Sequence, residues 1–490
     1  MKHEKKPGQE ISRYYLDPQR DLFSCLVSFL LFFGIVTIAI SIDERHLSTL
    51  LLFFMVTLGG VILVKSRSGL DARVSSQLAF FWCVKLLITF LLVVFAWSPE
   101  LTQENSYGWG SDQQRFYKYS AELLAQNWDP SGIVQNYQGV IWFYAAVFAV
   151  FGRNPFSPAL INSFLTLGAL LFLIQHCIRV TPLSQSHHRY LPLVILVPEI
   201  IWYDVMPGRE ALVAAFIIIS SLKMGALFSP HDRPRSRTVD ALILLISVVM
   251  ILAVRTVMII PLIITGCIFL YLVSSYRSSM FLRAGVALFL ASALVFGYYA
   301  QTFLGGYGTN YFEILRALQS VDENIAAEAE WSANSIGLLL APSGLWEAVA
   351  FLPLRMIVYI IAPLPNFPID LYRLASGSWY SWQHLLVIPT SLLMLSAVPL
   401  VFVGTMHAWR QRAVNGGLFL IPLVFWINFA AIAGGNYIIQ ERYRAMVTGL
   451  FFVCAWIGLA FSKKKHLVSG YLIWGAVLAT GMIGYFSLKF

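Results

Sequence analysis

The sequence predicts an all-α integral membrane protein, and its composition and its apolar runs carry that prediction. Hydrophobic residues make up 58% of the 490 residues, charged residues only 12%, and the mean hydropathy is +0.70. A helix needs roughly 20 apolar residues to cross a bilayer, and runs of that kind recur along the whole chain. These runs predict about thirteen transmembrane helices, further partial or interfacial helices, and two extracytoplasmic loops.

The basic balance of the chain indicates membrane topology rather than nucleic-acid binding. The formal net charge is +9, and the lysines and arginines fall in short clusters between apolar runs. Basic loops stay in the cytoplasm, so these clusters are interpreted as cytoplasmic loops, and no nucleic-acid partner is expected. The five cysteines stand singly without a CxxC pair, and the histidines lack zinc-ligand spacing. No metal site is therefore predicted.

Charge and hydropathy divide the chain into four parts. Residues 1–76 are predicted to form a cytoplasmic basic tail and two accessory transmembrane helices. Residues 77–300 form the main transmembrane module, whose first outer loop is 98–138. Residues 301–383 form a second outer loop with an interfacial or re-entrant helix, and residues 384–490 form the C-terminal transmembrane helices.

The first outer loop is net acidic and carries its own helix signal. Ser111 followed by Gln114 is a capping-box pattern, which predicts that a helix begins here. Phe116 and Leu123 lie on one face of that helix, so we expect it to lie flat on the bilayer surface. Asp112 then occupies its first turn at the water boundary, where the helix dipole favours a carboxylate.

The number of crossings after this loop must return the next basic segment to the cytoplasm, so one of the apolar runs is predicted not to cross fully. Four apolar runs precede the basic segment HDRPRSR, and that segment would lie outside if all four runs crossed. The run 191–203 is short and ends in proline and polar residues, so it is predicted to be the partial span. Arg179, His187, His188 and Arg189 are then expected on the outer side, against the charge rule.

Charged residues inside other apolar runs give two further expectations. The run from Ala241 to Val273 is too long for one span, and it is predicted to form two helices that meet at Arg255 on the outer side. Lys85 lies early in its run and is predicted to snorkel to the inner surface.

Ionisable residues at membrane depth are costly and usually pair or line a functional cavity. The guanidinium group of arginine can bind phosphate through two parallel hydrogen bonds, and a carboxylate can accept the proton of a hydroxyl group. Two simpler interpretations stay open: neighbouring acid and base pairs anchor helix ends at the headgroups, and Glu199 is a structural carboxylate. The polar groups expected on the outer face are Asp112; Glu199, Asp204, Arg209 and Glu210; Arg255; and Glu441, Arg442 and Arg444.

Five segments in a fixed order carry a family resemblance. They are SDQQRFYKYSAELL, YQGVIWFYAAVFAVFGRNPFSPALIN, MPGREAL, LAVRTVMIIPLI and ERYRAM. This series resembles the GT-C class of polytopic glycosyltransferases, among them the aminoarabinose- and mannosyl-transferase families. The resemblance implies a GT-C-like bundle, a polyprenyl-phosphate sugar as donor and Asp112 as the base. It also implies that Arg255, Arg442 and Arg444 bind the donor phosphate or the headgroup.

The predicted function is transfer of a sugar from a polyprenyl-phosphate donor to a glycan or lipid acceptor, at the outer face of a bacterial inner membrane. Two alternatives stay open: a repeat-unit polymerase that uses a diphosphate-linked glycan, and a lipid or glycan flippase. No cofactor is certain, although a divalent cation at the acids of the first loop is left open. The predicted catalytic residues are Asp112, Glu199 and Glu210, and the predicted phosphate-binding residues are Arg209, Arg255, Arg355, Arg442 and Arg444.

Overall fold

The chain is seen here in a computed structural model. The described residues are 47–66, 70–98, 112–129, 138–181, 188–227, 234–274, 345–362, 379–435, 441–462 and 464–489. The predicted first span, the run 284–300 and most of both predicted outer loops lie outside these ranges.

The described ranges are helical and contain no strand. The α-helices are α1 (Leu47–Lys65), α2 (Ala72–Leu92), α3 (Asp112–Ala125), α4 (Gln138–Phe151), α5 (Phe156–Val180), α6 (Pro198–Val205), α7 (Arg209–Leu227), α8 (Pro234–Arg255), α9 (Ile259–Ser274), α10 (Leu345–Ile361), α11 (Trp379–Gln411), α12 (Gly416–Gly435), α13 (Glu441–Phe461) and α14 (Lys464–Lys489). A π-helical turn, Val93–Trp97, continues α2, and a 3-10 helix, Leu191–Leu196, precedes α6.

Seven helical segments in these ranges are long and apolar enough to cross a membrane. The all-α membrane class that the sequence predicts is therefore confirmed, and the chain is a multi-pass membrane protein. The predicted count of thirteen spans includes runs outside the described residues. The seven segments are Ala72–Trp97, Phe156–Val180, Arg209–Leu227, Thr238–Leu272, Leu385–Gln411, Gly416–Gly434 and Arg442–Phe461.

The helices α2 and α5 run in opposite directions and define the two ends of the bundle. Phe156, at the start of α5, stacks on Phe90 near the end of α2, with ring centroids 5.2 Å apart. Val180, at the far end of α5, accepts a hydrogen bond from the side chain of Asn415. We call these the Trp97 end, after the last residue of the π-helical turn, and the Val180 end.

The helix α4 lies across the Trp97 end and does not cross the bundle, although its run was expected to be a full span. Gly139, at its start, packs on the backbone of Ala253 near the end of α8. Phe148, near its end, packs on Tyr117 of α3 with centroids 5.0 Å apart. Its 14 residues span about 21 Å at 1.5 Å per residue, which is less than a bilayer core of about 30 Å. The amphipathic helix α3 and the apolar helix α4 thus pack together at one end of the bundle.

The segment from His188 to Val205 connects the Val180 end to the Trp97 end, whereas the run 191–203 was predicted to be a partial span. His188 packs on Trp456 with centroids 5.9 Å apart, and Glu199 pairs with Arg444 on the same helix α13. Those two α13 residues are about 18 Å apart at 1.5 Å per residue. A short run covers this depth because a 3-10 helix rises about 2.0 Å per residue.

This crossing corrects the predicted location of a basic group. Arg179, His188 and Arg189 lie at the Val180 end, on the side opposite to the predicted outer face. These basic residues therefore no longer need to be an exception to the rule that basic loops stay in the cytoplasm. His187 lies outside the described residues.

The chain breaks at Arg255, as the sequence predicts. The helix α8 ends at that residue, a 3-10 turn, Thr256–Met258, follows, and α9 begins at Ile259. Arg255 itself has φ −158° and ψ 84°, an extended conformation that interrupts the helix. This break places the guanidinium group of Arg255 at the Trp97 end beside the start of α13.

Two glycines allow α11 and α13 to cross in close contact. A Cβ atom on Gly404 would meet the backbone of Cys454, and one on Gly458 would meet the backbone of Leu400. Small residues let membrane helices approach closely and pack their backbones together. This crossing fixes α13, whose first turn carries several of the predicted site residues.

Candidate functional site

The first turn of α3 lies against the start of α7 at the Trp97 end. The Cγ atom of Gln113 is 3.9 Å from the position that a Cβ would take on Gly208. The Cζ atom of Arg209 is 5.7 Å from the ring centroid of Phe116. Asp112 begins α3, as the capping pattern predicts, while its side chain and Ser111 are not among the described parts. The backbone of Asp112 is therefore adjacent to a residue that packs against the 206–210 turn.

Tyr117 anchors α3 to the rest of the bundle. Its ring packs edge-on against Trp97, with centroids 6.4 Å apart, as well as against Phe148 of α4. Burial raises the pKa of the Tyr117 hydroxyl, and the neighbouring Arg153 guanidinium partly offsets this increase. The phenol is therefore neutral near pH 7 and serves as an anchor for the helix that carries Asp112.

A frame of buried hydrogen bonds holds the turn between α6 and α7. The Asn162 amide donates to the carbonyl oxygens of Met206, at 2.7 Å, and Asp204, at 3.3 Å. The Tyr144 hydroxyl lies 3.0 Å from both the Gly208 carbonyl oxygen and the Asn162 side-chain oxygen. Backbone groups away from water need such partners. The frame fixes the direction in which the chain enters α7, and hence where its first residues lie.

Lys85 belongs to this buried frame, so its predicted location at the inner surface is wrong. Its Nζ atom is 2.5 Å from Oδ2 of Asp204, and both side chains are almost fully buried. The Thr166 hydroxyl donates to the other carboxylate oxygen of Asp204 at 2.7 Å. Lys85 lies near the middle of the segment Ala72–Trp97, too deep to snorkel to either surface.

Three guanidinium groups converge beside the start of α13. The Arg255 Cζ atom is 4.6 Å from the Tyr443 ring centroid, and the Arg442 Cζ atom is 4.9 Å from the same centroid. Arg209 and Glu210 are both close enough to Arg255 to act on its charge. We call Arg209, Arg255 and Arg442 the arginine cluster. Its members come from three helices, and Tyr443 lies against two of them.

Glu210 is a buried carboxylate next to the cluster. Only 3% of the side chain is exposed, and no hydrogen bond or ion pair of this side chain occurs within the described part of the chain. Its Oε2 atom is 2.8 Å from the position that a Cβ would take on Gly208. The absence of a side chain at Gly208 therefore makes room for this carboxylate.

A cavity opens beside Glu210 between α5, α6, α7 and α13. Glu210 and Asp204 line it near the Trp97 end. Its other walls combine small residues, such as Ala214 and Gly449, with larger apolar side chains, such as Ile200 and Met446. Small residues leave space that larger ones would fill, so the cavity is a consequence of the sequence on two facing helices.

Glu199 and Arg444 form a buried pair that is separate from the cluster. The Arg444 Nη2 atom donates to Oε2 of Glu199 at 2.8 Å, and both side chains are fully buried. Arg444 Nη1 donates to the carbonyl oxygens of Tyr359, Ile360 and Ala362 at the end of α10. In this arrangement Arg444 caps a helix end inside the bundle, which accords with the structural interpretation of Glu199.

Arg355 also serves a helix end. It is fully buried, and its Nε atom donates to the carbonyl oxygen of Ala433 near the end of α12, at 2.5 Å. The phosphate-binding role that the sequence predicts for Arg355 and Arg444 stays a prediction. Their observed contacts direct these two guanidinium groups to helix carbonyls instead of to the neighbourhood of α3.

The structure thus sorts the predicted site residues into two groups. Arg209, Arg255, Arg442 and Glu210 come together near the first turn of α3, where the backbone of Asp112 lies. Tyr144, Asn162, Thr166 and Tyr443 were not predicted from the sequence. Asn162 and Thr166 could have been found, because two polar residues four positions apart share one face of an otherwise apolar helix.

No group of three or more histidine, cysteine, aspartate or glutamate side chains that could hold a metal ion occurs among the residues described. Of the first-loop acids at which a divalent cation was left open, Glu100 and Glu104 lie outside that part, and the side chain of Asp112 is not described. No protein-family model, curated protein or solved structure matches this chain. Any functional conclusion therefore comes from the geometry of the site itself.

Proposed function

We propose that this chain is a membrane glycosyltransferase, which moves a sugar from a polyprenyl-phosphate donor to a cell-surface glycan or lipid acceptor. The observation that carries the proposal is the arginine cluster. Three guanidinium groups from three helices gather at one end of the bundle, beside the helix that begins with Asp112.

The charge of the cluster favours an anionic substrate group. Like charges repel each other in a medium of low dielectric constant, so three arginines brought together cost free energy that an anion offsets. Guanidinium groups bind phosphate through two parallel hydrogen bonds, which gives both affinity and orientation. Tyr443 lies against Arg255 and Arg442 and holds their planes in place through cation–π contacts.

The location at a bundle end suits a lipid-linked donor. A polyprenyl chain lies in the bilayer and its phosphate at the surface, which is the level of the cluster. We infer that the Trp97 end faces away from the cytoplasm, because exposed basic residues such as Arg189 and Arg410 lie at the opposite end. A bacterial inner membrane fits this orientation and the predicted donor.

The proposed reaction is a direct displacement at the anomeric carbon. An acceptor hydroxyl attacks C1 of the donor sugar, the new C–O bond forms, and the bond from C1 to the phosphate oxygen breaks. The Asp112 carboxylate takes the hydroxyl proton, and the electron pair of the broken bond leaves on the polyprenyl phosphate. The arginine cluster stabilises the negative charge that develops on this leaving group.

A reconstituted transfer assay tests the proposal. Proteoliposomes are supplied with polyprenyl-phosphate donors that carry labelled hexoses or pentoses, and with envelope lipids and glycans as acceptors. We expect labelled acceptor and an equal amount of released polyprenyl phosphate. Arg255→Ala and Arg442→Ala should each reduce the rate roughly 10²-fold, as the loss of a preorganised donor does. Arg410→Ala, an exposed change at the Val180 end, is the matched control and should keep the wild-type rate.

Two other outcomes would point to the alternative functions. Transfer from a diphosphate-linked repeat unit, but from no monophosphate donor, would identify a polymerase. Movement of a lipid across the bilayer without any transfer would identify a flippase. Either result contradicts the proposed function.

A further inference from the structure

Three arginine side chains lie on connecting segments at the Val180 end of the bundle. Arg179 is in the last turn of α5, Arg189 precedes the 3-10 helix, and Arg412 follows the end of α11. Arg179 and Arg189 are exposed, and Arg412 is half-buried. Within the described part of the chain none of the three pairs with a carboxylate. The segments 179–190 and 409–417 contain no acidic residue that could neutralise them.

The turn between α11 and α12 packs on the end of α5. The Asn415 side chain donates a hydrogen bond to the Val180 carbonyl oxygen, and the Nε2 atom of His176 lies 2.9 Å from the Gly417 carbonyl oxygen. Arg179 is close enough to His176 to act on its charge. The turn that follows α11 therefore lies beside the positive charge at the end of α5.

Arg189 is connected to the end of α5 through the residue that precedes it. The Nε2 atom of His188 lies 3.5 Å from the hydroxyl oxygen of Thr181, the residue that follows α5. Three segments that contact each other thus supply one arginine each. We call Arg179, Arg189 and Arg412 the basic surface.

Two exposed aromatic rings indicate the depth of this surface in the membrane. The Cζ atom of Arg412 is 4.4 Å from the ring centroid of Trp409, and the Cζ atom of Arg189 is 4.6 Å from that of Tyr190. Trp409 is 41% exposed and Tyr190 is 45% exposed. Exposed tryptophan and tyrosine rings concentrate at the headgroup level, because each has an apolar body and a polar end. The guanidinium groups that lie against these rings are therefore at the headgroup level too.

We infer that the basic surface binds the headgroup of an anionic phospholipid. A guanidinium group can form two parallel hydrogen bonds to a phosphate, and a basic group near the membrane surface strengthens binding of an anionic lipid about fivefold. A lipid also covers the exposed aromatic rings with its glycerol and acyl parts, which a soluble anion does not. The inference is independent of the proposed function, because it uses neither the arginine cluster nor Asp112.

Arg410 supplies a matched control on the same helix. Side chains three positions apart share one face of a helix, whereas side chains two positions apart do not. Trp409 and Arg412 therefore share a face, and Arg410 lies on another, where it is close enough to His407 to act on its charge. The His407 ring stacks on Phe461 with centroids 4.0 Å apart. Arg410 thus carries the same charge at the same end, outside the basic surface.

Competition between two lipids, measured by native mass spectrometry, tests the inference. The full chain in detergent micelles receives equal amounts of phosphatidylglycerol and phosphatidylcholine with the same acyl chains, and the ratio of the two one-lipid complexes is measured. The wild-type protein should prefer phosphatidylglycerol about 10²-fold, as three fivefold contributions combine to give. Arg179→Gln, Arg189→Gln and Arg412→Gln should each lower this preference about fivefold. Arg412→Lys keeps the charge without the two parallel hydrogen bonds and should lower it less.

The control separates a binding site from the effect of net charge. Arg410→Gln should keep the wild-type preference, and a loss in Arg410→Gln equal to that in Arg412→Gln would overturn the inference. Equal binding of the two lipids by the wild type would overturn it as well. Inorganic phosphate in large excess should leave the bound phosphatidylglycerol in place. Its displacement by phosphate would identify a site for a soluble anion and would also overturn the inference.

Discussion

The carboxylate of Glu199 and the guanidinium group of Arg444, 245 residues apart in the chain, form a fully buried ion pair. Both carboxylate oxygens accept hydrogen bonds from Arg444, and the remaining nitrogen of the guanidinium group caps the end of α10. One pair of side chains therefore joins α6, α10 and α13. A buried charged group is stable only when it is hydrogen-bonded, and in this pair each charged group forms hydrogen bonds with the other.

Removal of one partner of this pair should destabilise the protein strongly. Arg444→Met removes the Arg444 hydrogen bonds from the Glu199 carboxylate and from three carbonyl groups, and we expect a loss of about 3–5 kcal/mol in the free energy of unfolding. Unfolding in mixed detergent micelles measures it. The double variant Glu199→Leu with Arg444→Met should lose less than Arg444→Met alone, because no buried charge remains unpaired. Equal losses in both would contradict this account of the pair.

The crossing of α11 and α13 gives a prediction that depends on shape alone. Gly458→Ala places a Cβ against the backbone of Leu400, which neither helix can avoid without moving. We expect a loss of about 1–3 kcal/mol, typical of overpacking, in the same unfolding measurement. Gly475→Ala is the matched control, since nothing lies within 4 Å of a Cβ there, and it should be neutral or slightly stabilising. Similar effects of both substitutions would argue against the close crossing.

The pair of Lys85 and Asp204 should affect stability and transfer together. Lys85→Met leaves a buried carboxylate unpaired below the turn that leads to α7, and we expect a loss of about 3–5 kcal/mol. Transfer should also fall, because the first residues of α7 carry Arg209 and Glu210. In Lys85→Met with Asp204→Asn, most of the stability should return. No recovery in the double variant would show that the two side chains do not act as a pair.

Local signals in the sequence predicted what is local in the structure. The capping pattern at Ser111 and Gln114 placed the start of α3, because a helix start depends on residues within one turn of it. The break at Arg255 followed from the length of its run and from the cost of a charge at depth. The gathering of Arg209, Arg255 and Glu210 at one end followed from assigning their runs to one membrane face.

Non-local pairing could not be predicted in the same way. Hydropathy does not distinguish an apolar helix that crosses a bundle from one that lies across its end. The sequence therefore predicted a full span for α4 and a partial span for the run 191–203, whereas α4 lies across one end and the run 191–203 connects the two ends. The partners of Lys85 and Arg444 also lie far away in the chain. A charge inside an apolar run indicates that a partner exists, but the sequence does not say which residue it is.

The central claim is that the arginine cluster binds the phosphate of a polyprenyl lipid. An experimental structure of the full chain in nanodiscs with a bound polyprenyl phosphate tests it most directly. We predict phosphate oxygens about 2.7–2.9 Å from guanidinium nitrogens of Arg255 and of at least one of Arg209 and Arg442. A phosphate bound elsewhere, with these three arginines turned away from it, would contradict the claim.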